Sequence, residues 1–218
     1  MGKIILSCFA DKELIKYFLN LNYSIELSAE KNCVYKQIAA HPDVFMCKLG
    51  TDPNSQLLYA EDGEVGEKYP ADIAFNAVCT GKFFIHNLRY TNKRLQKAIK
   101  QMNLTEINVN QGYTKCSTVI VDDCSFITED EGLYSVLRGI PGISVLKVSK
   151  GYVKLDGFTY GFLGGASGRV GDTIVFNGNL SAHPDFEKIS SFINSKGLKI
   201  MNFESYPLTD IGSIIETV

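Results

Sequence analysis

The stretch DIAFNAVCTGKFFI, at residues 72–85, decides the fold. It places two β-rich runs on either side of Thr80 and Gly81, a pair that favours a tight turn. An amphipathic helix is predicted to follow at residues 90–102, because apolar side chains recur there at helical spacing. A further β-rich run at residues 106–109 completes a unit of two strands, a helix and a third strand.

Two later stretches repeat this order. They are TKCSTVIVDDCSFI at residues 114–127 and RVGDTIVFNGNL at residues 169–180, and in this alignment Gly81, Asp123 and Gly178 share the turn position. A unit of this kind cannot bury its apolar face alone, so it must pack on copies of itself. The alternative is an ordinary α+β sheet in which the local similarity is accidental.

The sequence therefore predicts a single α/β domain over residues 1–218, built as a pseudo-symmetric, propeller-like ring of β-β-α-β repeats. The clearer repeats are predicted at residues 69–112, 113–151 and 165–206. Besides the helix at 90–102, helices are predicted at residues 11–20, 130–138 and 184–196. The helix at 130–138 is predicted to open with a capping box formed by Thr128 and Glu131.

Composition excludes several classes of function. The net charge is −2 and the chain has no lysine- or arginine-rich run, so the electrostatic footprint of a nucleic-acid-binding protein is missing. No stretch approaches the length of apolar residues that a membrane span requires, and the first residues do not form a signal peptide. We therefore expect a cytoplasmic protein with a small-molecule ligand and no nucleic-acid or membrane partner, while the oligomeric state stays open.

The six cysteines lie at irregular spacing, none forms a CxxC pair, and the chain has only three histidines. This pattern argues against a zinc site and against a disulfide scaffold. We expect reduced thiols, no metal and no cofactor.

The order of the units resembles the pentein fold of the guanidino-group-modifying enzyme (GME) superfamily, which includes deiminases, dihydrolases, amidinotransferases and a ribosome anti-association factor. Enzymes of that superfamily carry a nucleophilic cysteine at the mouth of a strand, and QGYTKCST at residues 111–118 fits this local setting. The resemblance implies that Cys116 is the nucleophile. The family cysteine lies in the last unit, where the alignment here has Gly171. The family's His-x-Asp pair is matched in letters by HPD at residues 41–43 and 183–185, which read first as the starts of helices or strands.

Cys116 and His86 are the predicted catalytic residues. A thiolate next to a cation attacks an amidine or guanidine carbon, and a histidine can serve as the acid–base group. Lys115 could supply that cation, but neighbouring side chains alternate along a strand, in which case Arg169 would have to do so. Each residue has an alternative role. Cys116 could be a buried structural cysteine, and His86 could have no function while its neighbour Asn87 caps a helix.

Asn76, Arg169 and Asp172 are the predicted substrate-binding residues. Asn76 lies at the entry of its first strand, and the other two lie in the glycine-dense segment GGASGRVGD at residues 164–172, which is expected to form a loop beside the main pocket. Local turn or strand hydrogen bonds are the alternative role for Asn76. For the segment that carries Arg169 and Asp172, the alternative is that its glycines only form structural turns.

The sequence thus predicts a central polar pocket for a small guanidino- or amino-acid-like ligand. Any catalysis is expected to be Cys116-dependent hydrolysis or transfer at a guanidine or amide carbon. The alternative is a non-catalytic pentein-like protein whose flat face contacts a macromolecule.

Overall fold

The computed structural model describes residues 2–218, and within them fourteen short strands are distributed over five small sheets. The strands are β1 (Lys3–Ser7), β2 (Ser24–Ser28), β3 (Met46–Lys48), β4 (Leu57–Tyr59), β5 (Val78–Cys79), β6 (Phe83–His86), β7 (Thr105–Asn108), β8 (Thr118–Ile120), β9 (Ser125–Thr128), β10 (Ser144–Lys147), β11 (Ser167–Val170), β12 (Thr173–Phe176), β13 (Lys199–Met201) and β14 (Ile215–Thr217).

The α-helices are α1 (Lys12–Asn20), α2 (Pro42–Phe45), α3 (Lys93–Met102), α4 (Glu131–Leu137) and α5 (Phe186–Ser195). Side chains cap three of them, because Asp11, Asn92 and Asp130 accept hydrogen bonds from the first free backbone N–H groups of α1, α3 and α4. The predicted capping box at Thr128 is wrong, since Asp130 is the residue that caps α4.

Four sheets share one strand order, in which the first strand is antiparallel to the second and the second is parallel to the third. Three of them follow each other as β5-β6-β7, β8-β9-β10 and β11-β12-β13, and each falls inside one of the predicted repeats. The fourth is β14-β1-β2, with α1 between β1 and β2. The fifth, β3-β4, keeps only the antiparallel pair.

The third repeat was aligned wrongly with the other two, with an error of one strand. Residues 173–176 were matched with first strands, but β12 is the second strand and pairs with β11. The hairpin turn lies at Gly171, whose φ of +56° suits a tight two-residue turn, and at Asp172, rather than at Gly178. An apolar run such as TIVF fits either position in a hairpin equally well, which explains the error.

The segment at residues 164–171 is not the predicted loop, because its second half is β11. The first half is close-packed. A side chain at Gly164 would collide with the carbonyl oxygens of Thr118 and Cys116, and one at Gly165 would collide with the carboxylate of Asp210. Gly164 therefore allows two backbone segments to approach each other, and Gly165 leaves room for the Asp210 side chain.

The apolar core lies between each sheet and the helix that packs on it. Phe84 of β6, for example, packs in one cluster with Leu95 and Ile99 of α3, all at most 1% exposed. Full burial of a side chain of this size stabilises the fold by roughly 1.5–3 kcal/mol. The result is a mixed α/β fold of several small sheets.

No helix among residues 2–218 is both long and apolar enough to cross a membrane.

Candidate active site

Cys116 lies in the segment that leads into β8, at the bottom of an open cleft, and its side chain is 3% exposed. A tight turn presents it. The Thr114 hydroxyl donates to the carbonyl of Gln111 at 2.7 Å, and the N–H of Ser117 donates to the carbonyl of Tyr113 at 2.9 Å. The turn fixes the thiol against the neighbouring sheets.

Asn76 holds this turn in place. Its Oδ1 accepts hydrogen bonds from the backbone N–H groups of Lys115 at 2.9 Å and Cys116 at 3.2 Å. Its Nδ2 donates to the Cys116 Sγ at 3.2 Å and to the Asp43 carbonyl at 3.3 Å. Both ends of this buried amide are therefore used within the protein.

Asp43 faces the thiol. Its Oδ2 accepts from the Cys116 Sγ at 3.1 Å and from the Ser213 hydroxyl at 2.6 Å. The Lys115 ammonium donates to the same Ser213 hydroxyl oxygen at 2.9 Å. The other carboxylate oxygen, Oδ1, is buried and has no hydrogen-bond partner among residues 2–218. An unpartnered buried oxygen of this kind is costly and indicates a position where a ligand can bind.

The backbone of Ser213 is strained. Its φ is +77°, a region that residues other than glycine, asparagine and aspartate rarely adopt. Ser213 is fully buried, so the surrounding packing holds it in this conformation. Strain of this kind clusters at functional sites.

His41 and Asp210 form the opposite wall of the site. His41 precedes Pro42 at the start of α2, and its Nδ1 lies 3.8 Å from the Asp210 Oδ1, too far for a hydrogen bond. That nitrogen has no partner among the described residues. Asp210 is held by the backbone N–H groups of Phe162 at 2.9 Å and Gly212 at 3.0 Å.

All five sheets contribute to this cluster through the segment that precedes their first strand. Asp43 comes before β3, Asn76 before β5, Cys116 before β8, Gly165 before β11 and Ser213 before β14. Where the other segments place a polar or thiol side chain, the fourth has a glycine. The absence of a side chain there leaves room for the Asp210 carboxylate.

Burial sets the protonation of these groups. It raises the pKa of the Cys116 thiol well above its usual value, with Asp43 and Asp210 adding to the effect. It lowers the pKa of His41 to about 4, so the ring is neutral at pH 7. It raises the pKa of Asp43, and that of Asp210 to about 6, while lowering the pKa of Lys115.

Two cavities flank the cluster. The cleft has a volume of about 540 Å³ and contains Cys116, His41 and Asp210 among aromatic side chains. The second is a narrow cavity of about 70 Å³, which contains Lys115 and Asp43 and is bordered by Arg169. The cluster is therefore the floor between the two, with Cys116 on one side and Lys115 on the other.

The structure brings two of the predicted site residues together, namely Cys116 and Asn76. Arg169 borders the narrow cavity, where its guanidinium donates to the carbonyl of Val121 at 3.1 Å. Asp172 lies in the exposed β11–β12 turn and pairs with Lys199 at 2.7 Å. The functional roles of Arg169 and Asp172 stay predictions.

His86 lies apart from the residues that line the cleft. It is fully buried at the end of β6, where its Nδ1 contacts the Thr91 hydroxyl at 2.7 Å and burial lowers its pKa to about 4. The helix cap near it is Asn92 rather than Asn87. The catalytic role of His86 stays a prediction that this position does not favour.

His41, Asp43, Asp210 and Ser213 were not predicted as site residues. The HPD letters at residues 41–43 match the family's His-x-Asp pair, but they were interpreted first as a helix or strand start. In the structure Pro42 opens α2, and His41 and Asp43 on either side of it lie in the candidate site. For Asp210 and Ser213 the local sequence contains no comparable signal.

The cluster also offers donors for a metal ion. One donor atom each from His41, Asp43 and Cys116 lie within 4.8 Å of one another. Zinc binds imidazole, carboxylate and thiolate groups, and catalytic zinc sites use three protein ligands. No metal was expected from the sequence, and these three residues are where one would fit.

Comparison with known proteins places the chain in a family. No curated protein sequence matches it. One solved structure, the crystal structure of a dimethylarginine dimethylaminohydrolase adduct with 4-chloro-2-hydroxymethylpyridine, is similar over 93% of this chain and 92% of that one. The TM-score is 0.50 and the sequence identity is 10%, so the likeness concerns the fold. That protein is a guanidino-modifying enzyme, the class that the order of the units resembles. The family of unknown function DUF6873 matches residues 52–215, and the chain therefore belongs to this family.

Proposed function

We propose that the protein is a pentein-like enzyme that uses Cys116 to hydrolyse, or transfer a group from, a small guanidine or amidine. The observation that carries the proposal is the 3.1 Å contact between the Cys116 thiol and Asp43 at the floor of an open cleft. A carboxylate beside the thiol is what the reaction requires, because the reacting carbon belongs to a cation. The overall likeness to a guanidino-modifying enzyme supports it.

The chemistry follows from the side chains in contact. In the free protein the thiol donates to Asp43. When the substrate binds, the thiol proton passes to His41, which is neutral and has a ring nitrogen within 4.8 Å of the sulfur. The sulfur then bonds to the central carbon of the guanidinium, while Asp43 and Asp210 face its positive charge. The C–N bond to the leaving amine breaks, and the amine takes the proton from His41. Water, or a second amine in a transfer reaction, then attacks the sulfur-bound carbon and restores the thiol.

The same contacts explain why the free thiol is held protonated. Burial and the two carboxylates raise the pKa of Cys116. A guanidinium that enters between the thiol and the carboxylates offsets their negative charge and lowers that pKa. The nucleophile is therefore activated by the substrate, which limits side reactions in its absence.

We further propose that the five sheets close into a pentein ring as one domain. The support is that the first strands of adjacent sheets touch, β3 with β5, β8 with β11, and β11 with β14. The five segments that precede these strands then converge on the ring axis, where the Cys116 cluster lies. We also propose a cytoplasmic location for the protein, as its composition led us to expect.

A matched pair of reagents tests the catalytic proposal. The cation 2-chloroacetamidine and the neutral 2-chloroacetamide have nearly the same size, and mass spectrometry identifies the labelled cysteine. After correction for the intrinsic reactivity of the two reagents, we expect Cys116 to prefer the cation by about tenfold or more, because one unit of pKa or 1.4 kcal/mol of attraction gives that factor. Cys8 is exposed and serves as the control without a preference.

Labelling is carried out with and without a chelator, since a metal ion on His41, Asp43 and Cys116 would mask the thiol. The proposal fails if Cys116 shows the same preference as Cys8, or if neither reagent modifies it under both conditions. Turnover of small guanidines, followed by release of ammonia or amine, must then be lost in Cys116→Ser and kept in Cys8→Ser.

The alternative is a pentein-like protein that binds a macromolecule without catalysis. It is favoured by the exposed aromatic side chains at the mouth of the cleft, where Tyr69 is 49% and Phe158 is 50% exposed. Exposed apolar patches often mark interaction surfaces. Failure of the labelling experiment would leave this function as the better one.

A further inference from the structure

Aromatic rings dominate the cleft above Cys116. Six of the side chains that line it are aromatic, namely Tyr35, Tyr69, Tyr113, Phe158, Tyr160 and Phe162. Three of them form a row, because the centroid of the Tyr113 ring lies 6.1 Å from that of Tyr69 and 6.4 Å from that of Phe162. Such a row offers apolar surface and the negative faces of π systems.

The middle ring of this row is fixed. The Tyr113 hydroxyl donates to the Asp72 Oδ2 at 2.6 Å, and Asp72 itself is fully buried. The polar end of Tyr113 is therefore occupied inside the protein. A ring held in this way loses little freedom when a ligand packs on it, so its contact contributes efficiently to affinity.

Within the described part of the chain, no positively charged side chain lines the cleft. Among residues 2–218, the side chains that line it include the acid Asp210 and the neutral His41, and they include no arginine or lysine. Recognition of a carboxylate usually depends on arginine or lysine, or on several free N–H groups. The N–H groups of Phe162 and Gly212 beside the cleft already donate to Asp210. A carboxylate in this cleft would lie near a like charge without a cation to pair with.

We propose that the substrates are guanidines or amidines with an apolar, aromatic-sized body and no carboxylate. This inference rests on the proposed function, since it assumes that Cys116 and the acids receive the cationic group. The row of rings then packs against the remainder of the molecule. The proposal narrows the class of ligand expected from the sequence, which was guanidino- or amino-acid-like, because it excludes free amino acids.

Binding to the Cys116→Ala variant tests the proposal, because affinity is then measured without turnover. The probes are 2-phenylethylguanidine, propylguanidine and L-arginine, and the measurement is isothermal titration calorimetry. We expect 2-phenylethylguanidine to bind at least about tenfold more tightly than either of the others, a factor that matches the area and stacking of one ring. Adding Tyr69→Ala should remove most of this advantage, and it should weaken propylguanidine far less than 2-phenylethylguanidine. Tyr152→Ala, an exposed tyrosine outside the cleft, is the matched control.

The outcomes separate the two proposals. If arginine binds as tightly as 2-phenylethylguanidine, or more tightly, the substrate class proposed here is wrong while the guanidine chemistry stands. The same conclusion follows if Tyr69→Ala weakens all three probes equally. If no probe binds, and chloroacetamidine does not favour Cys116 either, the proposed function itself fails.

Discussion

The cleft and the narrow cavity lie on either side of one floor, and their side chains differ in charge and kind. The cleft presents aromatic rings, Cys116 and the acid Asp210, and no lysine or arginine of the described residues lines it. The narrow cavity is lined by the cations Lys48, Lys115 and Arg169 together with the acids Asp43 and Glu216. Two adjacent residues, Lys115 and Cys116, line opposite cavities. The chain thereby places a positive charge behind the acidic floor and keeps it away from a cationic ligand in front.

This difference indicates that the two sides of the cluster have different functions. Groups on the cleft side contact the ligand, while Lys115 acts from behind by lowering the pKa values of Asp43 and Asp210. Lys115 points away from the thiol, but residues 115 and 116 lie in the turn before β8, so the turn and not the alternation along a strand separates the two side chains. The four predictions below test this difference, from the largest expected effect to the smallest.

Asp43→Asn should have the largest effect, because it removes the charge that faces the thiol. We expect turnover of small guanidines to fall by about 100-fold or more, the loss typical for one preorganised electrostatic contact. Alkylation of free Cys116 by neutral chloroacetamide should change in the opposite direction and become faster, because Asp43 raises the pKa of the thiol. Asp52→Asn, an exposed acid, is the control. Parallel loss of both rates would contradict the proposed role of Asp43.

Lys115→Met should lower turnover by about tenfold, the effect of one pKa unit on a required carboxylate. The mutation raises the pKa values of Asp43 and Asp210, so the loss should be greatest at low pH and shrink as the pH rises. Arg169→Met is the matched control in the same cavity. Its guanidinium already donates to the carbonyls of Val121 and Gly171, so we expect a change below threefold by the same estimate. An equal loss in both variants would favour the predicted substrate role of Arg169.

Ligand binding should weaken as the pH falls through about 6, the pKa of Asp210. Above this value the carboxyl group is ionised and attracts the cation, and below it the group is neutral. The dissociation constant of 2-phenylethylguanidine should therefore rise by up to about tenfold per pH unit below 6. His41, with a pKa of about 4, stays neutral across most of this range, whereas Asp43 titrates in the same direction. A pH profile that is unchanged in Asp210→Asn would contradict this assignment.

Asp172→Ala should have the smallest effect. The carboxylate forms an exposed ion pair with Lys199 that solvent screens, so the free energy of unfolding should hardly change. Affinity for the guanidine probes should be unchanged within error. Chemical denaturation and calorimetry measure the two quantities. A marked loss of affinity without a change in stability would restore the predicted substrate-binding role of Asp172.

Much of the fold could be predicted from the sequence because each unit carries its own local signals. The Thr80–Gly81 turn lies between β5 and β6, and the apolar spacing in residues 90–102 identified α3. The third repeat was misaligned because its hairpin turn uses Gly171 and Asp172, and Gly178 offers an equally plausible glycine turn seven residues later. Turn residues locate hairpins, but they do not say which of two apolar runs is the first strand.

The site was harder to predict because its members come from distant segments. Cys116 and Asn76 were predicted because each precedes a recognisable strand, and for Cys116 the resemblance to the family's motif added to this. Ser213 was not, because its strand β14 pairs with β1 and not with a neighbour in sequence. Asp210 lies in an irregular segment whose only cue is the acid itself. Contacts between residues far apart in the chain have no local signature.

The pairing of β14 with β1 sets Lys3 opposite Thr217 and has a kinetic consequence. Contacts between residues so far apart in the chain form slowly, and the contact of Ser213 with Asp43 spans almost as much of the chain. Partly folded chains would thus lack the Ser213 hydroxyl that joins Asp43 to the Lys115 ammonium. In refolding from denaturant, local helices and hairpins should form early. The burial of Cys116 and its preference for a cationic reagent should be restored only in the last kinetic phase.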